Sequence, residues 1–298
     1  MATEDPILLL DGGLSTALEN RGHRVGGVLW TGELLLSDPD SVVQAHRDFV
    51  EAGADVLITG SYQLSFDGGL RAGWEDDDIV TALRNSTTAA RMSAAEGTLV
   101  AASVGPYGAS LADGSEFRGG YGVTDAVLRD FHARRLDVLL ETEPDLLAIE
   151  TQPELQEIDV ILQLLADRDP EMPFWVSSTV AEAGRIAGGA PWADVVARVE
   201  ESESALAVGI NCSSVEFISE TLRSADSAIP YVVYPNHGRD WDAATDSWVG
   251  DGHDIADAHL ADWIDCGARL IGGCCGFGAQ DITALRDRHA ALNSRRHS

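Results

Sequence analysis

EAGADVLIT (51–59), ETEPDLLAIE (141–150) and DCGARLIGGC (265–274) repeat one pattern: a helix end, a turn, then a short apolar run. The same kind of run recurs along the chain. With 55–63 and 145–152, the set comprises ILLLDGG (7–13), LVAASVGPYG (99–108), PFWVSSTV (173–180), LAVGINCS (206–213), YVVYPNHG (231–238) and RLIGGCCG (269–276). Each is of strand length and rich in Val, Ile and Leu. Continuous apolar runs separated by helical patterns indicate parallel strands covered by helices. In SVVQAHRDFVEAG (41–53), Val42, Val43, His46, Phe49 and Val50 form one stripe, and Gly53 is a natural C-cap. Eight such units in 298 residues predict a parallel (β/α)8 barrel, one domain over 1–298, ahead of an open doubly wound sheet.

The bulk properties narrow the function. A formal net charge of −29, with all twenty basic residues arginine, opposes binding to nucleic acid or anionic membranes. No apolar run approaches the ~20 residues of a membrane span, and MATEDPILLL has no basic region that would make it a secretory signal. Four cysteines, at 212, 266, 274 and 275, are too few and too unevenly spaced for a disulfide framework. A reducing, cytoplasmic setting is expected, where clustered cysteines bind metal or react.

In a barrel of this type, the strands' C-terminal ends converge on one mouth. Asp11, Tyr62, Gly105-Pro106-Tyr107, Glu150, Asn211-Cys212, Asn236-His237 and Cys274-Cys275 stand at those ends, and the long polar insertions at 27–40, 112–125 and 238–254 lie near them. In a regular strand Cys274 and Cys275 would face opposite ways. The flanking glycines permit a sharp turn that brings both sulfurs to Cys212. Three thiolates suit zinc, and without an obvious fourth protein ligand the site reads as catalytic rather than structural. Cys266 precedes a C-cap glycine and reads as helix packing; His253 and His259 read as solvated or capping, and His237 as a residue at the edge of the site. Taken alone, Asp11 is a turn former and Glu150 a cap or ion-pair residue. Together they offer two carboxylates to an ammonium, and the amides of Gly12 and Gly13 offer donors to a carboxylate. That combination suggests a thiol amino acid. Two alternatives remain: a barrel enzyme whose GGCCG turn holds a phosphate, and a non-catalytic zinc- or thiol-binding protein.

The stretches LLLDGGLSTALENRG, ADVLITGSYQ, ASVGPYGASLADGSEFRGGY, LLAIETQPELQEID, AVGINC, VVYPNHGRDWD and RLIGGCCG together resemble the homocysteine S-methyltransferase family over about residues 7–290, in particular its short, S-methylmethionine-using branch. The resemblance implies a zinc-dependent barrel that methylates homocysteine to methionine. Cys212, Cys274 and Cys275 would ligate zinc. Asp11, the glycine amides of Gly12 and Gly13, and Glu150 would hold the homocysteine backbone, with Tyr62 near the zinc and Asn211 shaping the site. Trp30, Tyr62, Tyr107, Trp175 and Trp241 are candidate walls for a sulfonium donor. The chain departs from the branch at His237 and Arg239, and at Gly276-Phe277-Gly278 after GGCC. These departures leave the donor open between S-methylmethionine and S-adenosylmethionine, and the oligomeric state stays open between monomer and weak dimer.

Overall fold

A computed structural model describes residues 6–26, 29–238, 240–242, 247–249, 252 and 254–296. Eight parallel strands form the sheet: β1 (Leu8–Leu9), β2 (Val56–Ile58), β3 (Leu99–Val104), β4 (Leu146–Ile149), β5 (Phe174–Ser178), β6 (Ala205–Asn211), β7 (Tyr231–Tyr234) and β8 (Ala268–Ile271). Each pairs in parallel with its sequence neighbours from β2 to β8, and β8 pairs with β1 through Leu8–Leu270 and Leu9–Ile271. A parallel bridge from Leu10 to Val56 joins β1 to β2 and closes the ring. The expected eight-stranded barrel is therefore present. Its strands are shorter than the apolar runs, because the last residues of each run leave the sheet and build the mouth.

Helices cover the barrel. The stripe at 41–53 belongs to Pro39–Ala52, which starts on an Asp38 side chain accepting from Ser41 N and stops at Gly53, φ 101°. That glycine conformation is the C-cap the sequence predicts. Val42, Val43, His46 and Phe49 are buried beneath this helix. Burial holds His46 at a pKa of about 4, so it is a neutral core residue.

Strand residues alternate between two apolar layers. Leu147, Ile149, Val176, Val208 and Ile210 pack outward on the helices. Ala101, Ala148, Trp175, Ala207, Val232 and Tyr234 fill the interior. Small side chains on some strands make room for Trp175 and Tyr234 on others, the layered filling a barrel of this size requires. Gly209 shares the inward parity of Ala207, and a Cβ there would fall 1.7 Å from Val232 O. Gly209→Ala is accordingly expected to force β6 and β7 apart and cost about 3 kcal/mol or more. Denaturant unfolding checks this; a loss under about 1 kcal/mol would mean that the strands move freely. Among the described residues, no helix is long and apolar enough to cross a membrane.

Candidate metal and substrate site

β8 ends at Ile271, and the chain then folds over the barrel mouth. Gly273 N donates to Asp11 O (3.1 Å) and Cys274 N to Pro235 O (2.8 Å), which suspends the turn between β1 and β7. Gly276, at φ 86°, reverses the chain. Its amide donates to Thr16 Oγ1 (3.0 Å), and Cys275 O accepts from His237 N (2.9 Å). The strand alternation is broken where the two cysteines stand. Cys212 follows β6 at φ 46°, a left-handed conformation uncommon outside glycine. Its amide donates to Tyr234 O (3.0 Å), and Asn236 Nδ2 donates to its carbonyl (3.3 Å). The outcome is that the Cys212, Cys274 and Cys275 sulfurs all lie within 4.8 Å of one another, with 3.6 Å between Cys212 Sγ and Cys275 Sγ.

Three thiolates this close repel one another unless a cation lies among them. Hydrogen bonds toward Cys212 and Cys275, and then burial, hold the Cys274 thiol well above its usual pKa. Donation from Cys212 and Cys274 holds Cys275 well below. Three soft, converging donors fit a thiophilic metal ion.

Two carboxyls stand beside the sulfurs. Asp11 is buried; its Oδ2 accepts from Ile58 N (2.8 Å), while Oδ1 has no hydrogen-bond partner among the described residues. Burial, opposed by the Ile58 bond and reinforced by Glu150, raises its pKa well above the carboxylate range. Glu150 follows β4. Its Oε1 accepts from Ser103 Oγ and its Oε2 from Tyr234 OH (3.1 Å). Burial pushes it up to about 7 against those two bonds. Asn211 is buried. Its Oδ1 accepts from Thr151 N (2.8 Å) and its Nδ2 donates to Thr151 Oγ1 (2.8 Å), which pins Thr151 at φ 61°. Tyr62 hydrogen-bonds Thr151 and feels the charges of Glu116, Cys212 and Glu150; burial above all raises its phenol pKa.

Other expectations meet the structure differently. Gly13 N is taken by Phe277 O (2.9 Å), so this amide is not free for a carboxylate. A Cβ on Gly12 would lie 2.4 Å from Phe277 O, and one on Gly13 2.8 Å from Cys274 O. These glycines let the cysteine turn sit against β1. Trp175 is not a wall of the mouth; it lies inside the barrel, donating from Nε1 to Tyr234 OH (3.0 Å). Tyr107 packs on Tyr121 and Phe131, with ring centroids 5.6 and 5.1 Å away, and Trp30 is half-buried against the core. His237 backs the cysteine turn, its ring 5.0 Å from that of Phe277, and Phe277 is buried. His259 stacks on Trp263 instead of standing in solvent. Cys266 caps the helix Asp257–Asp265. Arg239, His253 and the Trp241 side chain lie outside the described residues. Ser103 and Tyr234, which bond Glu150, and Thr151, which bonds Asn211, are contacts that the sequence reading passes over. Ser103 leaves a trace, since a polar residue within an apolar run is costly to bury unless it is used.

The family profile "Homocysteine S-methyltransferase" matches residues 8–289. The chain is 38% identical to the homocysteine S-methyltransferase of Escherichia coli (strain K12), over 95% of each chain. It is 36% identical to homocysteine S-methyltransferase 1 of Arabidopsis thaliana, over 93% of this chain and 91% of that one. Its fold is similar to the crystal structure of the metallated form of the homocysteine methyltransferase MmuM from Escherichia coli, with a TM-score of 0.85 and 36% identity over 96% of this chain and 97% of that one.

Proposed function

The chain belongs to the homocysteine S-methyltransferase family and is a methyltransferase acting on homocysteine, and from that premise we propose that it is zinc-dependent and takes its methyl group from a sulfonium, S-methylmethionine before S-adenosylmethionine. The observation that carries the reading is the convergence of Cys212, Cys274 and Cys275 within 4.8 Å, next to two buried carboxyls. Cys212, Cys274 and Cys275 would hold the zinc, which when bound favours the thiolate form of a nearby substrate sulfur. Asp11 Oδ1, buried and unpartnered, and Glu150 receive the homocysteine ammonium. Ser103 and Tyr234 fix the Glu150 carboxylate, and Asn211 fixes Thr151, on which Tyr62 leans. In the transfer, the bond from the donor sulfur to its methyl carbon breaks as one forms from the homocysteine sulfur. A sulfonium and a thiolate become two neutral thioethers, and no proton moves in that step. The protein's task is alignment and exclusion of water. The metallated form of the E. coli relative supports the metal assignment. Methionine formation from homocysteine with S-methylmethionine, S-adenosylmethionine, betaine and methyl-folate, with and without chelator, tests all of this. Faster turnover with betaine or methyl-folate overturns the donor, and chelator-insensitive turnover overturns the metal.

The raised pKa of Glu150 makes ligand binding pH-dependent. In the free protein its carboxyl is neutral below about 7, and an ammonium partner favours the ionised form. Binding therefore expels a proton at acid pH, and affinity rises with pH, by up to about tenfold per unit, until it levels above about 7. Methionine is the clean probe because it has no thiol of its own. Calorimetry in buffers of different ionisation enthalpy is expected to show less proton release at about pH 6 for Glu150→Gln than for the wild type; equal release in the two would remove Glu150 from the contact.

A further inference from the structure

Glu116 is a third acidic group at the mouth, and nothing above uses it. It sits in the short 3₁₀ turn Ser115–Phe117, after β3. That turn is rigidly built. Gly114 enters it at φ 77°, and Ser115 N donates to Asp113 Oδ1 (2.9 Å). Thr179 Oγ1, beyond β5, donates to Glu116 O (3.1 Å). A Cβ on Gly108 would lie 2.7 Å from Glu116 N. Glu116 itself is only 8% exposed, and its Oε2 is buried without a hydrogen-bond partner among the described residues. Arg118, nearby, is 63% exposed on its side chain and reaches Asp113, so it meets Glu116 only through its charge and not by a hydrogen bond. The carboxyl shares its space with the site, because its charge acts on Tyr62 and that of Cys275 acts on it. An orphaned buried carboxylate oxygen is costly unless a ligand meets it.

We propose that Glu116 receives the α-ammonium of the methyl donor. The inference rests on the sulfonium-transfer reading and extends it to the donor's recognition. Asp11 lies close enough to Glu150 for the two charges to oppose each other, and one ammonium, that of homocysteine, answers the pair. A donor that is itself an amino acid brings a second. Between the donor's two cationic groups, the ammonium is the one a carboxylate holds with benefit. It keeps its charge throughout the reaction, whereas the sulfonium loses its charge as the methyl leaves. A carboxylate beside the sulfonium would stabilise the starting state more than the transition state and slow the step.

The test is steady-state kinetics of the zinc-loaded wild type and Glu116→Gln, with S-methylmethionine and with a sulfonium of similar length that lacks the amino group. The expected result is a donor KM raised roughly 10- to 100-fold for S-methylmethionine, with kcat and the homocysteine KM nearly unchanged, the pattern of lost uniform binding. The wild type's preference for the amino-bearing donor disappears in the variant. Glu116→Asp, which keeps the charge but retracts it, falls between the two. Melting temperature separates a structural role: removing an unpaired buried charge raises it or leaves it unchanged, whereas loss of a structural contact lowers it. An unchanged donor KM, a retained preference for the amino group, or a raised homocysteine KM overturns the assignment. A wild type inactive with both S-methylmethionine and S-adenosylmethionine overturns the sulfonium reading, and this inference with it.

Discussion

Cys212→Ser, Cys274→Ser and Cys275→Ser are each expected to empty the metal site and reduce methionine formation to background. A complete four-ligand protein zinc site is worth about 10–16 kcal/mol of apparent binding free energy. One ligand's share is therefore about 3 kcal/mol, or roughly 100-fold in affinity. Here the loss is felt more sharply, since three ligands converge among the described residues and a serine hydroxyl does not ionise in thiolate fashion at neutral pH. The three variants should fold. Cys212 is held by its backbone, through Tyr234 O and Asn236, and Cys274 by Pro235 O. Cys266→Ser is the control, because Cys266 caps a helix and stands outside the cluster. Elemental analysis after dialysis reads the result: about one zinc per chain in the wild type and in Cys266→Ser, and little in the other three. Full metal in any of the three would remove that residue from the site.

Asp11→Asn and Glu150→Gln are expected to keep the metal and lose homocysteine. Each exchange preserves shape. The amide placed at position 11 retains an oxygen to accept from Ile58 N, and the one at position 150 retains an acceptor for Ser103 and a donor for Tyr234. The framework around them therefore stands. What disappears is a buried charge opposite an ammonium. Truncating one partner of such a pair costs about 2–5 kcal/mol, which is roughly 30- to several-thousand-fold in affinity. The fold is not the casualty, because both carboxyls are buried groups whose ionisation the free protein resists; melting temperatures should hold or rise. Calorimetric titration with homocysteine decides the matter. Wild-type affinity in both variants would show that the ammonium is held elsewhere.

The barrel is legible because its strands announce themselves twice, by apolar content and by the helix-turn-strand echo. Placing Cys212, Cys274 and Cys275 at strand ends is then enough to bring them together, although 63 positions separate Cys212 from Cys275. The inward or outward direction of a side chain is harder to read. In a strand buried on both sides the alternation of polar and apolar residues vanishes. Trp175 therefore reads as a wall of the mouth when it fills the interior, and Tyr234, in YVVY, gives no sign that its hydroxyl holds Glu150. The sequence puts Asn211 at the right strand end, but its bonds to Thr151 cross from β6 to the end of β4, a contact no local pattern encodes. The amide of Gly13 reads as available. Phe277, from the far end of the chain, takes it only because the cysteine turn folds back onto β1.

Asp11 has a second duty that limits how this enzyme can be altered. β1 is two residues long, and its seam with β2 consists of the Leu10–Val56 bridge, backbone bonds from Asp55 and Asp11, and the Asp11 carboxylate on Ile58 N. The oxygen proposed to meet the substrate ammonium and the oxygen that bonds Ile58 N across the seam belong to one side chain. An engineer seeking a new acceptor by varying the mouth will find position 150 permissive, since Glu150 hangs from side chains that can be redesigned with it. Position 11 offers less freedom: a replacement there must also keep an oxygen for Ile58 N, as asparagine does, so selectivity and the closing seam are varied together.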